Sequence, residues 1–158
     1  MLDKKNKIIL EILQNNCKIP VKKISRKIKS PITTIYSRIK RLEDAGIIKS
    51  YSAILDQEKA GYPTTALVFV KMRYHYPEET KPISQRDVAK KISFLPGVTE
   101  VFIVAGQWDI VAKVKGRNIK EMGEFVIDKL REIKGVDNTL TSHVWVTVKE
   151  SQKLDLNY

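Results

Sequence analysis

Apolar positions recur with two different periods along this chain, and the change from one to the other falls near residue 60. Up to that point they recur every three or four residues, which is typical of amphipathic helices. The pattern predicts one helix from an N-cap at Asp3 to about Asn16, a second from near Pro20, and a third between Ser30 and Gly46. Residues 47–55 are predicted to be extended, as a wing-like strand or a linker.

The third helix is predicted to have Ser30 as its N-cap, Pro31 as its first residue and a left-handed Gly46 after its last turn. Apolar residues three and four positions apart should form its buried stripe: Ile32, Ile35, Ile39 and Leu42. The opposite face has hydroxyl groups near its start and cations further along: Thr33, Thr34, Ser37, Lys40 and Arg41, flanked by Tyr36 and Arg38.

This opposite face has the chemistry of a DNA-binding surface, because hydroxyl groups and cations contact base edges and phosphates. Only Lys29 and Ser30 separate the third helix from the second, a tight connection typical of a helix-turn-helix. We therefore predict that the face contacts duplex DNA, assisted by Ser30 and by Lys22 of the second helix. Lys40 and Arg41 suit either a phosphate or a guanine edge.

The distribution of charge supports this interpretation. The chain has 29 Lys and Arg against 18 Asp and Glu, a formal net charge of +11. Residues 1–55 hold 13 of the cations and 4 of the acids, a net +9, which leaves 16 and 14 for the remainder. The surplus is expected of a nucleic-acid-binding domain attached to a nearly neutral one. A Lys-rich domain that is merely solvated would show the same charge, so the inference depends on the charge and the helix face together.

The second part of the chain shows a strand-helix-strand pattern twice. The predicted elements are a strand Thr64–Tyr74, a helix capped by Ser84 with Asp87, strands Val98–Ala105 and Asp109–Lys115, a helix capped by Asn118 with Glu121, and a strand Leu140–Val148. This order is that of a ferredoxin-like βαββαβ domain, an antiparallel sheet with two helices on one face. The predicted fold class is α+β, with a winged helix-turn-helix at residues 1–50, a linker at 51–62 and the ferredoxin-like domain at 63–158.

The predicted sheet has more apolar surface than two helices can cover. Its first and last strands have apolar residues on both faces, whereas the helices cover only one. A second copy of the chain would bury the other face, so we predict a two-fold homodimer. Such a dimer would place its two recognition helices about one turn of DNA apart, ~34 Å.

Cysteine and histidine usage argues against several classes of site. Cys17 is the single cysteine, and His75 and His143 are far apart, so neither an intrachain disulfide nor zinc-ligand spacing is available. We predict no metal and no cofactor. The chain has no apolar run of the ~20 residues that cross a bilayer and no signal-peptide pattern, so we expect a cytoplasmic, DNA-associated protein without a membrane partner.

Short motifs in both halves occur in an order that resembles the Lrp/AsnC (feast/famine) transcription regulators over nearly the full chain. They are Leu2-Asp3, Ile9-Leu10, Ser30, Thr34-Ile35, Arg38 to Glu43, Gly46 to Ile48, Leu95 to Val98, Gly106 to Asp109, Gly135-Val136 and Thr139 to Thr141. The chain departs from the family where Asn6 replaces a usual acid and Lys18 a usual arginine.

The resemblance implies a winged helix-turn-helix, an effector-binding domain, dimers that assemble into tetramers or octamers, and control of transcription by an amino acid or similar small metabolite. Carried over to this chain, the implied effector residues are Val104, Ala105, Gly106, Gln107, Trp108, Asp109, Thr139 and Thr141. A glycine-containing hairpin can offer N–H groups to a carboxylate, Asp109 can bind an ammonium group, and threonine hydroxyls can complete the shell. The alternative is structural: Gly106 forms the hairpin and Trp108 packs.

Two other functions compete with a ligand-modulated, sequence-specific regulator. Some haem-pathway decarboxylases that act on a tetrapyrrole resemble the same two-part architecture, but the sequence shows no nucleophile–base pair, carboxylate dyad or phosphate-binding loop. We therefore predict that the protein is not an enzyme. An architectural protein that binds DNA through charge with little sequence preference is the other alternative.

Overall fold

Three helices build the first of two units in the computed structural model, which describes residues 2–78 and 80–156. They are α1 (Lys4–Asn15), α2 (Val21–Ile28) and α3 (Ile32–Asp44), as the apolar periodicity predicts. Their facing stripes form one core around the fully buried Ile9, Ile24 and Ile35. No helix of the described chain is both long and apolar enough to cross a membrane.

The ends of the helices confirm two of the predicted caps. The carboxylate of Asp3 accepts the N–H of Asn6 at 2.7 Å and caps α1. Gly46 is left-handed (φ +67°) after the last turn of α3, and the N–H of Ile47 bonds the carbonyl of Leu42 at 2.9 Å. This pattern satisfies a carbonyl that the helix end would otherwise leave unpaired.

Three predictions about the start of α3 are wrong: Ser30 as its N-cap, Pro31 as its first residue and Ile32 as a core residue. The helix begins at Ile32, directly after Pro31, and no side chain caps it. Ser30 lies one residue too early to reach the free N–H groups of the first turn. Its side chain is buried and accepts a hydrogen bond from the ammonium group of Lys5 at 3.0 Å. Ile32, predicted to be in the core, is 40% exposed and is not part of the core cluster.

Of the two alternatives predicted for residues 47–55, a wing-like strand or a linker, the strand does not form within the described chain. An extended segment becomes a strand only when a neighbour pairs with its backbone, and no neighbouring strand pairs with these residues. The side chain of Tyr51 instead donates a hydrogen bond to Glu43 at the end of α3, at 2.7 Å.

Residues 149–156 belong to the first unit, although the sequence placed them in the second domain. The side-chain amide of Gln14 bonds both backbone groups of Leu154, accepting its N–H at 2.7 Å and donating to its carbonyl at 3.1 Å. Lys153 donates to Asn15 at 2.8 Å, and Leu156 packs against the helical core. The two chain ends therefore form the unit together, and we call residues 149–156 the C-terminal clasp.

The second unit, residues 55–148, has the predicted ferredoxin-like order. It consists of β1 (Thr64–Met72), α4 (Gln85–Ser93), β2 (Val98–Ile103), β3 (Ile110–Gly116), α5 (Ile119–Glu124, continuing as a π-helical turn Phe125–Leu130) and β4 (Val136–His143). The sheet is antiparallel in the order β2-β3-β1-β4. Ser84 and Asn118 cap their helices as predicted. The core lies between the helices and one face of the sheet.

The last strand begins and ends earlier than predicted. β4 pairs with β1 until His143 lies opposite Ala66, and the N–H of Val144 still reaches the carbonyl of Thr65 at 2.9 Å. Because β1 itself begins at Thr64, the following residues of β4 have no partner strand. Residues 144–148 therefore continue outside the sheet, and Trp145 is 94% exposed.

An apolar row crosses all four strands on the face that the helices leave open. The strand registers place Phe102 of β2 opposite Val111 of β3, Val111 opposite Phe69 of β1, and Phe69 opposite Leu140 of β4. Directly opposite residues in antiparallel strands share a face. Trp108 extends this surface, with its ring centroid 6.1 Å from that of Phe69.

Candidate DNA-binding surface and effector turn

One face of α3 carries polar and basic side chains that are all exposed. We call this face the recognition surface, and its members are Thr33, Thr34, Tyr36, Ser37, Lys40 and Arg41. All six belong to the predicted DNA-contacting set, and the helical periodicity was sufficient to identify them. The buried Ile35 and Leu42 anchor the opposite side of the helix in the core, which holds the recognition surface outward.

The two cations of this surface form no ion pair or side-chain hydrogen bond with other described residues. Among residues 2–78 and 80–156, neither Lys40 nor Arg41 has an ion-pair partner or a side-chain hydrogen bond. The same holds for Lys22, which is exposed on α2. The charges of these three residues are therefore exposed and uncompensated within the described part of the unit.

Arg38 is different, because it links two helices. Its guanidinium donates to the carboxylate of Asp3 at 2.5 Å and to the side-chain oxygen of Asn6 at 2.8 Å. The hydrogen bond from Arg38 and the backbone N–H of Asn6 together lower the pKa of Asp3 below its ordinary value. The phosphate contact predicted for Arg38 stays a prediction, and in the structure the charge of Arg38 is compensated by Asp3. Ser30 is likewise buried rather than presented to a ligand.

A hollow of about 450 Å³ lies beside the recognition surface within the first unit. Its wall combines the guanidinium groups of α3, hydroxyl groups and the start of α1, in the residues Asp3, Asn6, Thr33, Thr34, Ser37, Arg38 and Arg41. Arg41 and the hydroxyl groups supply hydrogen-bond donors, which are the groups that bind a phosphate. No local sequence pattern predicts the hollow, because its wall joins Asp3 and Asn6 to residues of α3 that are distant in sequence.

The predicted effector residues of the second unit begin at the hairpin between β2 and β3. The N–H of Val104 bonds the carbonyl of Asp109 at 3.0 Å and closes the hairpin. Between them, Gly106 has φ +140°, a conformation that residues with a side chain rarely adopt. Ala105, Gly106 and Gln107 are exposed, whereas Trp108 is half-buried against Phe69. The predicted packing role of Trp108 therefore has a partner in the structure.

Asp109 is held by its own unit. Its carboxylate accepts the N–H of Met72 at 2.8 Å and the hydroxyl of Tyr74 at 2.9 Å, and it lies 3.3 Å from the ammonium group of Lys71. Gln85 donates to its backbone carbonyl at 2.8 Å. Burial by itself would raise the pKa of Asp109, but the bonds from Met72, Tyr74 and Lys71 outweigh it and lower the pKa.

This network gives Asp109 a role within its own unit. The carboxylate, only 13% exposed, fastens the hairpin to the end of β1, and the backbone carbonyl of Asp109 links the hairpin to Gln85 of α4. No sequence pattern indicated Tyr74 and Gln85, because they lie 35 and 24 residues away and only the fold brings them to Asp109.

The two threonines of β4 lie at the same end of the sheet as the hairpin. Val70 of β1 pairs with Thr139 on one side and with Ile110, which follows the hairpin, on the other. The hydroxyl of Thr139 accepts a hydrogen bond from Arg131 at 3.1 Å, and Thr141 lies opposite Val68. The fold therefore brings the predicted effector residues to one end of the sheet, on both sides of β1.

A second hollow, of about 400 Å³, lies elsewhere in this unit. It includes Tyr62, Arg117, Glu121 and Phe125, and the guanidinium of Arg117 lies 6.0 Å from the ring of Tyr62. None of the predicted effector residues lines it. The described residues contain no group of three His, Cys, Asp or Glu that could hold a metal ion.

Comparison with known proteins identifies a family for each of the two parts of the chain. Residues 2–49 match the family model for winged helix-turn-helix DNA-binding, and residues 65–154 match the model for the Lrp/AsnC ligand binding domain. The chain belongs to the Lrp/AsnC family. It is therefore a transcriptional regulator with a helix-turn-helix domain for DNA and a domain for a ligand.

Relatives of this Lrp/AsnC protein match it over almost its entire length. An uncharacterized HTH-type transcriptional regulator of Pyrococcus horikoshii is 43% identical over 150 residues, 95% of this chain and 97% of the relative. The HTH-type transcriptional regulator FL11 of the same organism is 34% identical, covering 98% and 97%.

Two solved structures share the fold. A regulator of Neisseria meningitidis in complex with L-Met has a TM-score of 0.89 at 27% identity, covering 99% of this chain and 98% of the other. AsnC of E. coli has a TM-score of 0.84 at 22% identity, covering 97% and 98%.

Proposed function

We propose that this regulator binds specific duplex DNA through the recognition surface of α3, as a homodimer whose DNA binding or assembly responds to an amino acid. DNA binding is supported by one observation: Lys40 and Arg41 are exposed, without an ion-pair partner among the described residues, beside exposed hydroxyl groups on the same helix. In a helix-turn-helix this helix enters the major groove, where the residues of its first turns meet base edges.

The contacts divide into two groups by chemistry. Thr33 and Ser37 lie one turn apart near the start of α3, and their hydroxyl groups suit base edges. Arg41 and Lys22 suit phosphates, and Lys40 suits either. Arg38 acts indirectly, since its bonds to Asp3 and Asn6 fix α3 against α1.

The apolar row across the open face of the sheet supports the homodimer. Phe69, Phe102 and Leu140 belong to different strands but lie side by side on this face. Phe102 and Leu140 are about half exposed, 51% and 48%. A two-fold axis parallel to the plane of the sheet brings the same row of a second copy face to face with it, which removes these side chains from water. Further assembly into tetramers or octamers belongs to the same proposal.

An amino-acid effector is supported by the ligand-binding family model and by the relative that binds L-Met. The exposed backbone of Ala105, Gly106 and Gln107 suits its carboxylate. Because Asp109 is engaged by Tyr74 and Met72, its part is to hold this turn in place. Thr139 and Thr141, at the same end of the sheet, supply hydroxyl groups.

The deciding experiment selects a binding sequence from random duplexes and compares its Kd with that of random DNA at one salt concentration. We expect a ratio of at least about 10³, the lower range for specific binders. Arg41→Ala should weaken binding to the selected duplex, and Lys90→Ala, an exposed lysine of α4 in the other unit, should not. A ratio below about tenfold would favour the architectural role.

The effector part has its own test. A ligand that binds only the folded protein raises its melting temperature, so the twenty amino acids are screened by thermal shift. We expect at least one to stabilise the protein and to change the Kd for the selected duplex. Stabilisation without any change in DNA affinity or assembly would contradict the proposed modulation.

A further inference from the structure

The first turns of α3 expose an apolar side chain that the helix does not need for its own packing. Ile32 is 40% exposed and Tyr36, one turn later, is 60% exposed. Neither belongs to the core of the unit, to which α3 contributes the buried side chains of Ile35 and Leu42. Together they form a ridge along the helix, beside the hydroxyl ridge of Thr33 and Ser37.

This position fixes what Ile32 can meet if α3 binds DNA as proposed. It is the first residue of the helix, and the N-terminal residues of a recognition helix contact base edges. The base edges of the major groove present donors and acceptors, and a single apolar group, the C5-methyl of thymine. An isoleucine has no donor or acceptor, so thymine is the base edge that it can favour.

We propose that Ile32 is a specificity-determining residue that recognises a thymine methyl group in each half-site, with Tyr36 flanking the contact. The proposal rests on the proposed DNA-binding function and adds to it the identity of one base. The neighbouring hydroxyl groups of Thr33 and Ser37 can bond the adjacent base edges. Apolar contact supplies discrimination that those hydroxyl groups lack, because a hydroxyl can donate or accept.

The test removes only the methyl group. Each thymine of the selected duplex is replaced in turn by uracil, which keeps every hydrogen-bonding group, and the Kd is measured by fluorescence anisotropy. For the natural protein we expect one position per half-site at which the replacement weakens binding about fourfold, the value of one buried methylene-sized group. Ile32→Ala should bind the thymine duplex more weakly and should no longer distinguish thymine from uracil at that position.

Ile47→Ala is the matched control, because Ile47 is also exposed (48%) but follows the end of α3. This variant should keep the difference between thymine and uracil. Circular dichroism checks that both variants remain folded. If the protein binds its selected duplex specifically but tolerates uracil at every position, Ile32 does not recognise thymine, although the regulator assignment stands. If no duplex is preferred over random DNA, the proposed function itself fails, and this inference with it.

Discussion

Asp3 and Arg38 form an ion pair that joins the start of α1 to the middle of α3 across 35 residues of sequence. Arg38 lies on the flank of the helix that carries the proposed DNA contacts, yet its charge is compensated within the unit. Cations on one helix can therefore have two separate roles, which salt dependence can distinguish.

Lys40→Ala and Arg41→Ala should each reduce the salt dependence of DNA binding if the side chain contacts a phosphate. The slope of log K against log salt changes by about 0.9 for each phosphate contact. Arg38→Ala should weaken binding with little change of slope, because Asp3 already compensates its charge. Anisotropy titrations at several salt concentrations measure both quantities. An equal change of slope in all three variants would show that Arg38 also contacts DNA.

The ion pair should also make the first unit sensitive to acid. Because Arg38 lowers the pKa of Asp3 in the folded state, the stabilisation is complete above the unfolded pKa, near 4. It is lost as the pH falls through the lower folded value. Hydrogen exchange of α1 and α3 amides between pH 6 and pH 3 should detect this loss. Asp3→Asn should lack that part of the pH dependence, whereas Asp44→Asn, an exposed control, should keep it.

Asp109→Asn should destabilise the second unit by about 1–3 kcal/mol, the cost of leaving buried polar groups unsatisfied. The carboxylate accepts from both Met72 and Tyr74, whereas an amide offers one acceptor and turns a donor toward the other group. Urea unfolding followed by tryptophan fluorescence measures the change. Asp128→Asn, at an exposed position, should stay within about 0.5 kcal/mol of the natural protein. Equal stability of the two variants would contradict the structural role of Asp109.

Leu140→Asp should disrupt the proposed dimer, because it buries a charge within the apolar row. Light scattering at micromolar concentration should give the mass of a dimer or a larger assembly for the natural protein and of a monomer for the variant. Lys90→Asp, a charge change on the outer side of α4, should leave the assembly intact. A natural protein that is monomeric under these conditions would refute the homodimer.

Gln14→Ala should loosen the C-terminal clasp. The substitution removes two hydrogen bonds to Leu154, each worth about 0.5–1.5 kcal/mol in net stability. The N–H of Leu154 should then exchange faster with solvent, and the first unit should unfold at lower denaturant concentration. Gln152→Ala, in the clasp itself, is the matched control. Unchanged exchange at Leu154 in the Gln14 variant would mean that the clasp does not depend on this contact.

Local patterns were sufficient to predict most helices, strands and caps of this chain. The three- and four-residue spacing located α1, α2 and α3, and the Ser84 and Asn118 caps located α4 and α5. These features depend on residues a few positions apart, so one sequence contains them completely.

Contacts between residues that are distant in sequence could not be predicted. The bond from Tyr74 to Asp109 is created by the fold, and Arg38 reaches Asp3 across 35 residues of sequence. The end of β4 was misplaced for a related reason. Its β-branched residues continue to Val148, but strand length is set by the extent of β1, which begins at Thr64.

The C-terminal clasp has a consequence for how the two domains are joined. In chain order the ligand-binding domain is an insertion, entered after residue 54 and left before residue 149, so both of its ends are covalently attached to the DNA-binding domain. A rearrangement of the inserted domain on ligand binding can therefore be transmitted to α1, through the clasp and Gln14, as well as to α3, through the linker. The helix-turn-helix is therefore connected to the inserted domain at two points, and a fragment that stops at residue 54 would lose the second connection.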